Sequence, residues 1–203
     1  MEEILIFPFS GTAIEALDCF NEKQKCVGFI SDNLEFQNTS YLGINIFSRK
    51  IFEELNKAKV LAVNGSPTSF LNRKEIIASL ELNNERFCNI IHPGSTVGKN
   101  VKLGFNVLIM SGVVITANAE IGNHVCILPN STIHHDSRIG DYTLIAGNVL
   151  IAGNVDIAEN CYVGGGSNIK NGISVSAGTL VGMGSNVLKS ELNKKVIFGN
   201  PAK

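Results

Sequence analysis

The chain has 203 residues, enough for one large or two small domains and for a sizeable buried core. Hydrophobic residues make up 44% and charged residues 17%, which excludes a disordered chain. Seventeen basic and 18 acidic residues leave a net charge of −1, with Lys194–Lys195 the nearest approach to a basic cluster, so a nucleic-acid binder is excluded.

The N-terminus, "MEEILIFPFSG", is acidic before a short apolar run and lacks the basic start and cleavage site of a signal peptide. No stretch approaches the roughly 20 apolar residues needed to cross a bilayer. A soluble, cytoplasmic protein is expected, with no membrane partner. Five cysteines without a CxxC spacing (Cys19, Cys26, Cys88, Cys126 and Cys161) read as reduced, mostly buried thiols. Cys126 and Cys161 fall at or near inward positions of the repeat described below, and read as core rather than nucleophiles.

Strand and helix alternate over the first ninety residues. "EILIF" reads as a buried strand, "GTAIEALDCFNEKQ" as a helix and "KCVGFISD" as a second strand. "FSRKIFEELNK" reads as a helix, "AKVLAVNG" as a third strand and "FLNRKEIIASLELNN" as a third helix, before a short strand in "FCNIIHP". The pattern predicts a small parallel sheet with helices on both faces.

From Ile91 the sequence changes to a six-residue period. Seventeen consecutive positions, from Ile91 through Ile133 and Ile139 to Val187, are Ile, Leu or Val. Four residues after each comes a small or β-branched residue, as at Ser131, Ser137 and Thr143. Six fits neither a helix nor a simple amphipathic strand. It fits a short strand followed by a tight turn, the aliphatic residue always pointing inward. Gly and Asn, frequent between the aliphatic residues, accept the positive φ of such turns. Three strands per coil give a triangular prism, so the sixteen complete hexads make just over five coils of a left-handed parallel β-helix.

Residues 18 apart then stack in neighbouring coils, about 4.8 Å apart. In "STIHHDSRIG", His135 stands at a corner with Gly153 directly above it. A histidine there can accept a proton while a glycine N–H faces a developing oxyanion. Asp136 can hold the other ring nitrogen and fix the tautomer. The bland alternative is a solvated turn, which is the reading for His92 and His124. His134 is either a mere neighbour or a second candidate base. Histidine spacings of ten and eleven residues from His124 do not stack, so no metal is expected.

The two-part layout, the hexads, "STIHHDSRIG", "AGNV" and the closing "VIFGNPAK" resemble bacterial sugar O- and N-acetyltransferases of the NeuD/PglD type, over essentially the whole chain. The resemblance implies an α/β Rossmann-like domain over residues 1–84, a left-handed β-helix over 85–190 and a tail over 191–203. It implies a homotrimer, acetyl-CoA between adjacent β-helices and a nucleotide-linked amino sugar on the N-terminal domain. By position it makes His135 the general base and Asp136 its partner. Leu144, Gly153, Gly165 and Met183 fall at acetyl-CoA-contacting positions. Ser10, Gly11 and Thr12 match the nucleotide-binding turn, Ser31–Asp32 the acidic site after the second strand, and Gly65 the end of the third. The turn departs from the family's glycine-rich pattern through Pro8, Thr12 and Ala13. Taken alone, a Ser-Gly turn is equally a phosphate cradle or a tight βα connection. Asp32 is equally a ribose or base ligand or a solvated loop acid.

The function these readings imply is acetyl transfer from acetyl-CoA to the amine of a nucleotide-linked 4-amino-4,6-dideoxy sugar, for a bacterial surface glycan. The alternatives are O-acetylation of a sugar of the sialic acid type, and a non-catalytic sugar-nucleotide-binding scaffold.

Overall fold

The protein is described here by a computed structural model covering residues 1–190 and 195–203. The first four residues of the expected tail, and with them Lys194, lie outside the described residues.

The N-terminal sheet has five strands, β1 (Glu2–Phe7), β2 (Gln24–Ile30), β3 (Thr39–Tyr41), β4 (Ile44–Phe47) and β5 (Lys59–Ala62). They run in the order β3-β4-β2-β1-β5, and all neighbours are parallel except β3 and β4. The β3–β4 hairpin was not expected from the sequence. Its turn is Leu42–Gly43, with φ of +52° and +75°, a positive-φ pair without the usual Asn or Asp to announce it. The hairpin takes Phe47 for β4, so the helix expected to begin there is only α2 (Ile51–Glu54). The first helix is also shorter than expected. α1 (Gly11–Glu15) tightens into a 3-10 turn ending at Cys19, and the Asn21 side chain accepts from the Lys23 N–H to turn the chain into β2. α3 (Arg73–Ala78) ends well before residue 84, with Glu81 at φ +52°.

The two faces of this sheet bury different things. Leu5, Phe7, Val60 and Ala62 pack with Ile51, Phe52, Ile77 and Leu80 from the region of α2 and α3. Ile4, Ile6, Leu61 and Val63 pack with Ala13 and Ala16 and with Ile90, Leu108, Cys126 and Leu144 of the repeat.

From Ile90 to Val187 the chain forms two-residue strands, each ending on the hexad aliphatic residue. Each pairs in parallel with the strand 18 residues away, as Thr132–Ile133 does with Val114–Ile115 and with Leu150–Ile151. Three parallel sheets result, the faces of a left-handed β-helix. Val196–Ile197 adds a last strand by pairing with Leu180–Val181. The hexad residues fill the axis, among them Ile133, Ile139, Ile145 and Ile151, none more than 1% exposed. The inward serines and threonines are satisfied between coils. Ser131 Oγ donates to the Ala146 carbonyl at 2.7 Å and accepts from the Val149 N–H at 3.1 Å.

From Asn100 to Gly184 every sixth residue has φ between 56° and 71°. Asn or Gly fills this place at all but three corners, which hold His124, Asp136 and Tyr142. The strand residue preceding the aliphatic one points outward and sets the chemistry of each face. The first face presents Ile90, Leu108, Cys126 and Leu144, buried under the N-terminal sheet. The second presents Thr96, Val114, Thr132, Leu150, Asn168 and Asn186, none of them charged. The third alternates Lys102, Glu120, Arg138 and Asp156, with Lys102 paired to Glu120 at 2.6 Å.

Two expectations need correction. Cys126 does not point into the prism axis; it faces outward and is buried by the N-terminal domain, 3.8 Å from the Arg73 guanidinium. His124 is not a solvated turn residue but 4% exposed. It stacks on Tyr142 with ring centroids 4.8 Å apart, and Phe87 and Phe105 close its edges. Arg73, fully buried, reaches this corner from α3. It donates to the carbonyls of Asn64, His124 and Tyr142.

Candidate active site

His135 lies on the edge between the second and third faces, one residue after the turn leaves the Thr132–Ile133 strand. Its Nδ1 is 2.7 Å from Asp136 Oδ2. Adjacent residues can make this contact because Asp136 occupies the positive-φ corner, at +59°, which swings its carboxylate back along the edge. The other carboxylate oxygen accepts from Asn118 Nδ2 at 3.0 Å, one coil below. The hydrogen bond to His135, then that from Asn118, holds the Asp136 carboxyl below the usual carboxylate range. An ionised Asp136 that accepts from Nδ1–H leaves Nε2 as the free acceptor of the ring.

Nε2 faces Gly153. A Cβ at residue 153 would stand 2.7 Å from Nε2 and 2.8 Å from Cε1 of His135. The coils are locked here, because the Asn154 N–H donates to the His135 carbonyl at 3.0 Å. Among the described residues the Gly153 N–H has no acceptor. A ring nitrogen free to take a proton therefore sits beside a backbone donor free to meet an anion. The His135 and Asp136 side chains are 56% and 45% exposed, open to a ligand.

The other expected site residues fall into separate places. Gly165 and Met183 lie on the edge between the first and second faces, in a column with Gly147, and Met183 is 81% exposed. Within one chain they are therefore across the second face from His135 and Gly153. Leu144 belongs instead to the first face, and with Thr12 and Gly65 it lines a cavity of about 230 Å³ between the two halves of the chain. Gly65 has φ +133°, which strains any other residue, and a Cβ there would also press on the Leu144 and Arg73 side chains at 2.8 and 2.9 Å, so the fold asks for glycine without any ligand.

Ser10 is the N-cap of α1, its hydroxyl accepting from the Ala13 N–H at 3.3 Å, and nothing crowds Gly11. Ser31 is buried, and its hydroxyl accepts from the Asn33 N–H. Asp32 is exposed at its side chain and paired. Both of its oxygens accept from Arg49 at 2.7 Å, and Arg49 also donates to Ser79. Beside the Ser10 turn, Phe9 packs against Phe36 and Tyr41, which are 42% and 38% exposed.

Asn118 was missed in the sequence, although its place 18 residues before Asp136 is a signal once coils are counted. His134 donates its backbone N–H to the Ile151 carbonyl, and no side-chain contact ties it to the His135–Asp136 pair. Burial raises the Cys161 thiol to about 11 and also raises that of Cys126, so neither is a ready nucleophile.

Two stretches, residues 100–135 and 136–171, match the family "Bacterial transferase hexapeptide (six repeats)". No curated protein sequence matches the chain. Among solved structures, it is similar to PerB from Caulobacter crescentus in complex with CoA and GDP-perosamine. Identity is 22%, with 100% of this chain and 96% of that one covered, at a TM-score of 0.86. The acetyltransferase domain of PglB from Neisseria gonorrhoeae in complex with acetyl coenzyme A has 19% identity, coverage of 100% and 98%, and a TM-score of 0.84. WeeI from Acinetobacter baumannii has 23% identity, coverage of 100% and 99%, and a TM-score of 0.84. At these identities the likeness is one of fold. The chain carries bacterial transferase hexapeptide repeats over residues 100–171 and shares, over its whole length, the fold of PerB, WeeI and the PglB acetyltransferase domain.

Proposed function

We propose that the protein transfers an acetyl group from acetyl-CoA to the amine of a nucleotide-linked amino sugar, of the 4-amino-4,6-dideoxy class, in the cytoplasm. The observation that carries this reading is the 2.7 Å His135–Asp136 contact with Nε2 turned toward a side-chain-free backbone. The amine nitrogen attacks the thioester carbonyl carbon, and His135 Nε2 takes the proton it loses. The carbonyl oxygen, now negative, accepts from the Gly153 N–H. The intermediate then collapses, the C–S bond breaks, and the imidazolium returns the proton to the departing thiolate. Asp136 stabilises that imidazolium. The ligands named with PerB and with the PglB domain, CoA with GDP-perosamine and acetyl coenzyme A, support this donor and this class of acceptor.

The reading includes a homotrimer. His135 and Gly153 lie on one side of the second face, Gly165 and Met183 on the other. If three prisms turn their second faces, with Val114 and Leu150 outward, to a common axis, one edge of each subunit meets the opposite edge of the next. Acetyl-CoA lying in that seam would touch Gly165 and Met183 of one copy and reach His135 of its neighbour. The nucleotide would lie at the Ser10–Thr12 turn, beside the uncharged aromatic surface of Phe36 and Tyr41.

The test is release of free thiol from acetyl-CoA with a panel of UDP-, GDP- and TDP-linked amino sugars. Turnover with at least one of them, abolished in His135→Ala with the fold retained, is the expected result. Turnover only with hydroxyl acceptors, or only with free or lipid-linked sugars, would overturn the substrate assignment.

A further inference from the structure

We propose that Asn118, oriented by Asn100 beneath it, is a positioning residue that sets the tautomer of His135 through Asp136. Three successive corners of one edge, Asn100, Asn118 and Asp136, share the same backbone state, with φ of 58°, 62° and 59°. Their side chains therefore project in parallel, one coil apart, and can bond in series. Asn100 Nδ2 donates to Asn118 Oδ1 at 3.4 Å, and Asn118 Nδ2 donates to Asp136 Oδ1 at 3.0 Å. Asp136 Oδ2 then meets His135 Nδ1 at 2.7 Å.

The direction of this ladder follows from chemistry. A carboxylate only accepts, so the amide of Asn118 must present its nitrogen upward and its oxygen downward. That leaves the Asn118 oxygen for the Asn100 nitrogen. With Oδ1 tied to Asn118, the carboxylate plane is fixed and Oδ2 is aimed at Nδ1. A carboxylate held there keeps the proton on Nδ1 and leaves Nε2 bare toward Gly153. Asp136 without Asn118 is an exposed side chain free to rotate about its own χ angles, and it would hold the ring only part of the time. Neither asparagine touches the ring, so both act through Asp136.

The kinetic consequence rests on the acetyl-transfer reading, whereas the tautomer itself does not. The test is therefore read in two ways on the full-length protein. Imidazole nitrogen shifts by NMR report which ring nitrogen of His135 carries the proton. Thiol release gives kcat and both KM values. Asn118→Gly suits the variant, because glycine keeps the positive-φ corner that alanine would strain. Asn118→Asp, also tolerant of that corner, keeps the size, replaces the donor by an acceptor and sets a second negative charge against Asp136.

Wild-type His135 is expected as the Nδ1–H form. Both variants should show a substantial Nε2–H fraction. Their kcat should fall about tenfold, with both KM values within about twofold, well short of the ~10⁴ seen when a Ser-His-Asp enzyme loses its tautomer altogether. Asn100→Gly should give a weaker change in the same direction. An unchanged tautomer in both Asn118 variants overturns the proposal whatever the activity. A shifted tautomer in a protein that never releases thiol upholds the ladder and sinks the acetyl-transfer reading instead.

Discussion

Gly153 is glycine because of the ring below it and not because of its own backbone. The positive φ of that turn is carried by the next residue, Asn154, at +57°. What forbids a side chain is His135, whose Nε2 would lie 2.7 Å from a Cβ. Gly153→Ala should therefore fold with little change in melting temperature and push the imidazole off the edge. A displacement of about 1 Å costs a reacting group on the order of 10²-fold. A loss of that size in kcat, measured by thiol release, is the expected result, and retention of half the wild-type rate would contradict it. The pairing of His135 with Gly153 was legible in the sequence because 18-residue stacking is simple arithmetic. The role of Asn118 was not, since nothing in a six-residue pattern says which way a corner side chain turns until Asp136 is seen in the positive-φ state.

The elements meet at Arg73, and this junction was invisible in the sequence. Nothing in "FLNRKEIIASLELNN" singles Arg73 out, and His124 at its corner reads as solvated. The structure buries both, because α3 lays Arg73 across the carbonyls that the third edge leaves open. Truncating Arg73 to Ala would leave the carbonyls of Asn64, His124 and Tyr142 without that donor. Each such group costs roughly 1–3 kcal/mol, so a loss of about 3 kcal/mol or more is expected in urea unfolding. Arg73→Lys should recover only part of it, since an ammonium cannot span the same fork. Burial, with Arg73 beside it, lowers the His124 pKa from 6.5 to about 4. The unfolded chain therefore binds a proton that the folded chain refuses. Stability is full above about pH 6.5 and declines as the pH falls from there toward 4, by an order of 2 kcal/mol. Unfolding measured between pH 7 and 4.5 should show this slope, and His124→Asn, which suits the positive-φ corner, should flatten it.

At the scale of the whole molecule, the three faces divide the labour of the prism. The hexad pattern made the prism itself plain, because every coil repeats the same inward residue. The use of each face follows from the outward residue one place earlier, a weaker pattern that needs the 18-residue stacking to be read. Apolar Ile90, Leu108 and Leu144 take the N-terminal domain, and the charged ladder of Lys102, Glu120, Arg138 and Asp156 suits water. That leaves the second face, with Val114 and Leu150 at 36% and 39% exposed, flanked by both halves of the proposed site. Leu150→Lys points outward and leaves the axis of the prism untouched, so the coil should fold as before. Three lysines brought to one axis would repel one another in a desolvated seam, at a cost of several kcal/mol. Sedimentation should then find a trimer for the wild-type chain and a monomer for Leu150→Lys. Thiol release should fall at least about a hundredfold, because the His135 of each copy loses the neighbour that would hold its acetyl-CoA. Arg138→Gln, on the third face, should leave both the trimer and the rate intact. A Leu150→Lys protein that stays trimeric and active would place the subunit contact elsewhere, and with it the route by which His135 and Gly165 share a ligand.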